Sequence, residues 1–230
     1  MIILSIDTSS MAGSIVLSGD EGFLGEHSLE SSQTHSVRLL AAIDLVLRGA
    51  ERSISDVEGF AVISGPGSFT GLRIGLTTVK GIAEVLRRPV IPITASEAWA
   101  EKHSDLQGIL IPLVPAGRKE VFATIYERHG AQLTLHSEGI VGEMTQVVTS
   151  ILPEKAHFIG PAVLAHREFL EGLGKQGWKF HATDPFLAPA MARIAHRRAR
   201  QKDFFSAGEL AAFYLRPSDA EINWKEKSWS

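Results

Sequence analysis

The order of apolar and polar residues in the first half of the chain predicts three strands followed by alternating helices and strands. Three short apolar runs separated by turn residues predict a meander. The continuous apolar run FAVISG is typical of a buried parallel strand. The predicted elements are strands at 2–7, 13–18 and 22–30, a helix at 34–50, a strand at 60–65, a helix at 71–87, a strand at 89–94 and a helix at 95–103.

The first long helix, predicted at 34–50, has apolar residues at helical spacing and Thr34 as a candidate amino-terminal cap. Its period of about 3.6 residues predicts one face turned toward the core. The residues assigned to that face are Val37, Leu40, Ile43 and Leu47.

The second half repeats this order of elements without repeating the sequence. Apolar runs predict three strands at 108–114, 120–129 and 132–140, and a helix, a short strand and further helices follow them. The second half therefore reads as a degenerate copy of the first. We expect two domains, at 1–103 and 104–230.

Composition narrows the class of protein. The 230 residues are 44% hydrophobic and 21% charged, which is typical of a folded globular chain. No apolar run approaches the roughly 20 residues of a spanning helix, and the amino terminus does not resemble a signal peptide. The absence of cysteine excludes disulfides and thiolate chemistry. We expect a cytoplasmic protein without a membrane role, and a net charge of -3 gives no overall preference for nucleic acid.

The most unusual segment is SGPGSFTGLRIG, at 64–75, directly after the buried strand. Gly65 and Gly67 flank a proline, which predicts a tight turn with positive φ at the glycines. Ser68 or Thr70 is then placed to cap the following helix. This part of the segment needs no ligand.

The helix after that turn contains a stripe of small residues, Gly71, Gly75 and Thr78. Glycine inside a helix costs about 1 kcal/mol relative to alanine, so the stripe indicates a close approach by another element. Arg73 projects away from the stripe and is a candidate contact for an acidic partner or a phosphate, or a solvated side chain.

The first strand ends in Asp7, followed by Thr-Ser-Ser. An aspartate in this position resembles the phosphate hairpin of the actin, sugar kinase and Hsp70 superfamily, although Ser9 stands where that hairpin has glycine. The other interpretation is an ordinary turn in which a side chain caps the backbone.

Taken together, these segments resemble the bacterial TsaB (YeaZ) family, a paralogue of the TsaD/Kae1 proteins. The motifs that carry the resemblance are SGPGSFTGLRIG, ILSIDTSS, THSVRLL, SDVEGFAV and AAFYLRP. The match is good up to about residue 96, patchy afterwards, and returns at 214–217. The resemblance implies two tandem α/β domains of the actin-like, ribonuclease H-like kind (ASKHA).

The resemblance also implies a role in making threonylcarbamoyladenosine on tRNA beside the anticodon. In that system TsaD transfers the threonylcarbamoyl group, and a TsaB protein is its required, non-catalytic partner. The expected partners are a TsaD homologue, a TsaE-like ATPase through the complex, tRNA indirectly, and a second copy of this chain when TsaD is absent. We expect the two helices at 34–50 and 71–87 to form the docking face, with contact residues His35, Gly71, Arg73, Gly75 and Thr78. Packing of the small stripe against the first helix of the same chain is the alternative.

The residues disfavour catalysis by this chain. TsaD-like transferases bind metal through a His-x-x-x-His pair, but the fourth residue after His35 is Leu39. Pro115 stands where the second phosphate hairpin carries aspartate, and Gly160 is followed by proline where adenine binding uses a Gly-Gly pair. We therefore expect no metal and no cofactor bound by this chain alone, and leave open a nucleotide at the partner interface. The alternative function is a weak nucleotide-binding ATPase or phosphotransferase.

Two further interpretations concern single residue types. A protease would use Ser68 as nucleophile, but the sequence nominates no histidine as its base. The histidines other than His35 read as scattered surface residues, with the nearest pair, His129 and His136, lacking an acidic third ligand.

The segment ARIAHRRARQKD is strongly basic. Arg193, Arg197 and Arg200 recur at helical spacing and predict one basic helix face. Such a face is either solvated or in contact with the tRNA backbone in an assembled complex.

Overall fold

The computed structural model describes residues 1–30, 35–117, 119–151, 153–182 and 184–213. The predicted cap Thr34 and the resemblance at 214–217 lie outside these residues. The elements in chain order are β1 (Ile3–Asp7), β2 (Ala12–Gly19), β3 (Gly22–Glu30), α1 (His35–Gly49), β4 (Gly59–Gly65), α2 (Phe69–Leu86), β5 (Val90–Thr94), α3 (Ala95–Lys102), β6 (Gly108–Gly117), β7 (Glu120–His129), β8 (Gln132–Glu143), α4 (Met144–Ile151), β9 (Ala156–Ile159), α5 (Ala162–Gly172), β10 (Trp178–His181) and α6 (Ala188–Arg200). Short 3-10 turns lie at Ile54–Asp56 and Ala207–Glu209.

The two halves build the same five-stranded sheet. The strand order of the first sheet is β3-β2-β1-β4-β5. Read in the same direction, the order of the second sheet is β8-β7-β6-β9-β10, so each strand of the first sheet has a counterpart in the second. In each sheet the first three strands are antiparallel and the last two are added in parallel. This confirms the predicted pair of α/β domains. The strand β10 was not predicted, because its four residues follow a helix and a glycine-rich turn without a clear period.

The helices are layered on both faces of the first sheet. Val16 of β2 packs with Ala188 and Ala192 of α6. Its neighbour Leu17 points to the opposite face, where the paired position Gly25 lies against Val46 of α1. The first sheet therefore lies between α1 and α2 on one side and α6, contributed by the second half, on the other.

The second sheet has one face turned to the first half and one turned away from it. Leu110, Val114, Phe122 and Tyr126 join the main core, which contains residues of both halves. The alternate positions on the same strands form a separate core with α4 and α5. The main core is thus shared, and the predicted boundary between residues 103 and 104, which falls between α3 and β6, stays a prediction.

The predicted helices are confirmed, but the core face of α1 is partly wrong. Val37 and Leu40 are 72% and 63% exposed, whereas Leu39 and Val46 are buried beside Ile43 and Leu47. The reason is that apolar residues occupy two sides of α1, so spacing alone selected a face that runs between them. In the described part of the chain, no helix has the length and apolar character needed to cross a bilayer.

Candidate functional site

The glycine-rich turn before α2 has the predicted backbone. Gly65 and Gly67 have φ of 138° and 159°, where a side chain would be strained. The hydroxyl of Ser68 accepts a hydrogen bond from the Gly71 amide at 3.3 Å and caps α2. Thr70 lies inside the first turn of the helix, so Ser68 is the capping residue of the two that were predicted.

The turn packs against the loop that joins β1 to β2. The Ser68 amide donates to the Ser9 carbonyl at 2.7 Å, and the Thr8 hydroxyl donates to the Gly71 carbonyl at 2.8 Å. A Cβ on Gly71 would overlap the Thr8 carbonyl oxygen, and one on Gly75 would overlap the Thr8 hydroxyl. The bare backbone of this segment is needed for contact with its own chain.

That contact corrects the assignment of the small-residue stripe. Gly71 and Gly75 are buried beneath Thr8, so the prediction that they contact a partner protein is wrong. The alternative, packing against the first helix, is also wrong for these two glycines, because the group that covers them follows β1. The glycines correctly indicated that another part of the structure approaches closely, but the sequence did not indicate which element it is.

The other predicted interface residues stay predictions. Thr78 is half-buried, and Arg73 is exposed with its guanidinium 3.9 Å from the centre of the Phe69 ring. α1 begins at His35, but the side chain of His35 lies outside what the structure describes.

The candidate phosphate hairpin is closed on itself. Asp7 is buried at the end of β1, and its Oδ1 accepts from the Ser9 amide at 2.8 Å and from the Ser9 hydroxyl at 2.7 Å. The Asp7 carboxylate thus accepts from the amide and the hydroxyl of the same residue, Ser9. This is the second interpretation of the sequence, an ordinary turn in which a side chain caps the backbone. The Ser9 amide, which a phosphate hairpin would offer to its ligand, is occupied.

A cleft of about 250 Å³ lies between this hairpin, the amino terminus of α2 and the second sheet. Its walls include Trp99 of α3 and Pro115 of β6, and the lining residues that the structure describes are uncharged. Gly160, with φ of 101°, brings the start of α5 close to the Leu113 carbonyl. Apolar walls without a cation do not fit a nucleoside triphosphate or its magnesium ion.

The surface of α1 that faces away from the core carries four apolar residues beside one ion pair. We call Val37, Leu40, Ala41 and Leu45 the outer face of α1; its three larger side chains are between 55% and 72% exposed. An ion pair between Asp44 and Arg48, 2.8 Å long, lies on the same side toward the end of the helix. Sequence reasoning assigned two of these residues to the core. The missed signal was the presence of more apolar positions than one buried face can hold.

The basic stretch forms ion pairs within the molecule. Arg193 and Arg197 of α6 reach the buried Glu101 of α3 at 3.4 and 3.2 Å. Arg198 donates to Glu97 at 2.7 Å and to the Pro92 carbonyl at 2.6 Å. These contacts join α6 to α3 and β5. Arg193 and Arg197 are still 43% and 42% exposed, so both predicted interpretations of the basic face, solvation and contact with the tRNA backbone, stay predictions. Arg200 is exposed.

Two expectations about histidines are wrong. Glu127 lies between His129 and His136, at 3.0 and 2.9 Å, so this pair does have an acidic neighbour. His103 is only 6% exposed, and its ring lies near that of His181. Among the described residues, no group of histidine, aspartate and glutamate is arranged to hold a metal ion.

Comparison with known proteins decides the family. A family model described as TsaD, tRNA N6-adenosine threonylcarbamoyltransferase, matches residues 20–219. The chain belongs to the TsaD family. Within it, the chain is 28% identical over 233 residues to a tRNA threonylcarbamoyladenosine biosynthesis protein TsaB of Bacillus subtilis, covering 98% of this chain and 99% of the relative. The resemblance to TsaB is therefore confirmed.

Solved structures confirm the fold. YeaZ from Pseudomonas aeruginosa superposes with a TM-score of 0.80 and 23% identity, covering 93% of this chain and 99% of that one. The Acidaminococcus fermentans (R)-2-hydroxyglutaryl-CoA dehydratase component A superposes with a TM-score of 0.51 and 12% identity, covering 87% and 99%. These likenesses establish two tandem actin-like domains in this member of the TsaD family.

Proposed function

We propose that this member of the TsaD family is a non-catalytic cytoplasmic subunit. It binds and activates a TsaD homologue that makes threonylcarbamoyladenosine on tRNA beside the anticodon. The name of its Bacillus subtilis relative supports the pathway, and the match to the TsaD family model supports kinship with the transferase. The observation that carries the docking role is the apolar outer face of α1.

The outer face of α1 has the properties of a protein-binding surface. Isolated exposed apolar residues are ordinary, but three large ones on one side of a single helix are more than a surface that meets only water needs. Val37, Leu40 and Leu45 occupy that side, and Val85 of α2 is also exposed, at 82%. The docking face therefore lies on the two helices predicted for it, with α1 contributing the apolar contacts in place of Gly71 and Gly75.

The cleft supports the absence of catalysis by this chain. Asp7 and the Ser9 amide, which would orient a metal and a phosphate, are bound to each other. Pro115 and Trp99 give the opposite walls an apolar surface. In this proposal a nucleotide binds only at the interface with TsaD, a TsaE-like ATPase joins through the complex, and tRNA is contacted through the complex. The same outer face of α1 pairs two copies of this chain when TsaD is absent.

The test is to place a charge on the outer face of α1. Leu40→Asp is expected to weaken association with the TsaD homologue of the same genome by about 30-fold or more, because buried apolar anchors contribute about 2 kcal/mol or more each. It should also reduce tRNA modification in a reconstituted reaction. Association is measured by calorimetry and modification by nucleoside analysis.

The control is Leu164→Asp on α5, where the leucine is 71% exposed in the second half. We expect this variant to bind and activate as the unmodified protein does. Full association and modification by Leu40→Asp would contradict the docking assignment. Tight magnesium-dependent binding of ATP to the isolated chain would instead favour the ATPase alternative.

A further inference from the structure

Three histidines from three elements meet where the two halves join. His103 ends α3, His157 lies on β9 and His181 on β10. The Nδ1 of His157 is 2.9 Å from the Nε2 of His181, and the rings of His103 and His181 are 5.8 Å apart. We call these residues the histidine cluster.

The hydrogen bond in the histidine cluster requires at least one neutral ring. A hydrogen bond between two imidazole nitrogens needs an acceptor nitrogen, so the bond between His157 and His181 is lost if both rings are protonated. His103 is 6% exposed, and its Nε2 is buried without a hydrogen-bond partner. A charge on that ring would be largely withdrawn from water and would have no hydrogen-bond partner at Nε2.

The surrounding charges add to this effect. Lys102 beside His103 and Lys179 on β10 oppose protonation, whereas Asp105 favours it. The Lys102 ammonium is itself held by Asp184 at 2.6 Å and by the Phe186 carbonyl at 2.8 Å. Burial is the largest cause that lowers the pKa of all three histidines below the ordinary 6.5.

We propose that the histidine cluster is an acid-sensitive latch that holds the end of α3 against β9 and β10 and opens when its rings are protonated. Charged rings 5–6 Å apart repel one another, and their burial strengthens that repulsion. Trp99 of α3 lines the cleft and stacks on His103 with ring centres 6.5 Å apart. Opening the latch therefore also changes the wall of the cleft. This inference does not depend on the proposed function.

The sign of the pH dependence follows from the lowered pKa values. The unfolded or opened state binds protons more readily than the closed state, so closure is favoured at higher pH. The stabilisation is complete above pH 6.5, the ordinary value, and is lost as the pH falls through 6.5 toward the lower pKa of the closed form.

The experiment compares acid sensitivity in matched variants of the full chain. Thermal unfolding is measured between about pH 7.5 and about pH 5.5, the range in which histidine titrates. His181→Gln keeps a hydrogen-bonding group but cannot be protonated, and we expect it to lose less thermal stability over this range than the unmodified protein, because one titrating ring and its repulsion of the other two are removed. His129→Gln is the exposed control. His196→Gln is the partly buried control, since burial also lowers the pKa of His196 outside the cluster.

A second measurement needs no variant. Histidine ring protons are followed by NMR during a pH titration of the unmodified protein, together with exchange of the Leu106 amide, which donates to the His103 carbonyl at 3.1 Å. We expect three low titration midpoints that disappear or shift together in His181→Gln, and faster Leu106 exchange below those midpoints. Equal acid sensitivity in His181→Gln and the unmodified protein would overturn the latch. Titration of the cluster at or above the ordinary value would also overturn it.

Discussion

The helices α1 and α4 occupy the same place in the two halves, each after the third strand of its sheet, and they present opposite surfaces. α1 has 15 residues and its outer face is apolar. α4 has 8 residues, and its exposed positions are polar: Thr145, Gln146, Thr149 and Ser150. The two sheets share one topology, whereas the exposed side chains of the helix after the third strand are mainly apolar in the first half and polar in the second.

The inner helices show a different relationship. α3 and α6 also occupy equivalent places, but α6 packs over the sheet of the other half, and its arginines bind Glu97 and Glu101 of α3. The two halves therefore differ in the exposed helices α1 and α4, and they are connected through contacts of α6 with α3 and with the first sheet. Three pairs of substitutions test this comparison through stability.

The largest effect is expected at the turn that only the first half has in glycine-rich form. Gly71→Ala should lower the free energy of unfolding by more than about 3 kcal/mol, because its Cβ overlaps a backbone oxygen that cannot rotate away. Gly81→Ala in the same helix meets no atom within 4 Å and should instead add about 1 kcal/mol of stability. Denaturant unfolding measures both. Equal tolerance of the two alanines would remove the packing explanation for the turn.

The next effect concerns the joint between the inner helices. Arg198→Met leaves the largely buried Glu97 without its 2.7 Å partner and should cost about 3 kcal/mol near neutral pH. Burial already raises the pKa of Glu97 above its ordinary value of 4.5. The folded variant therefore takes up a proton more readily than the unfolded chain, and the loss should shrink as the pH falls toward about 5.

Urea unfolding at both pH values measures this change, with Arg193→Met as the control. Arg193 is 43% exposed and shares Glu101 with Arg197, so its removal should cost less. A loss for Arg198→Met that is the same at both pH values would show that the carboxylate of Glu97 is not the cause.

The smallest expected effect on stability comes from removing helix caps. One cap, at α6, is provided by a residue of the other half, and the second, at α2, by a residue next to the helix. The buried Ser14 hydroxyl of β2 accepts from the Leu187 and Ala188 amides, at 3.1 and 3.0 Å, at the start of α6. Ser14→Ala should cost about 1–2 kcal/mol, because two buried amides lose their acceptor. Ser68→Ala, which removes the part-buried 3.3 Å cap of α2, should cost about 0.5 kcal/mol. Thermal unfolding measures both losses. A larger loss for Ser68→Ala than for Ser14→Ala would contradict the importance of the contact between the two halves.

The order of elements and the fold class could be predicted from sequence because hydrophobic period and turn residues act locally. The turn at Gly65 and Gly67 and the cap by Ser68 were predictable for the same reason. The contact between Gly71 and Thr8 could not be predicted, because a glycine indicates that some group approaches closely but not which residue provides it. The orientation of α1 was also ambiguous, since exposed apolar residues look like core residues in a helical pattern.

The ion pairs of α6 and the histidine cluster depend on contacts between residues far apart in the chain. Arg193 and Glu101 are brought together only when α6 crosses to the first half. His103, His157 and His181 show no common spacing in sequence. The sequence shows which residues carry charged or titratable side chains. Which of these residues contact one another is determined by the tertiary structure.

The cap from Ser14 to α6 also bears on how the chain folds as it leaves the ribosome. It joins residues 174 positions apart, and α6 covers the face of the first sheet that carries Val16. That face stays uncovered until residues 188–200 have been synthesised, so the first half leaves the ribosome before its interior can be completed. A helix of the second half thus closes the domain that the first half builds.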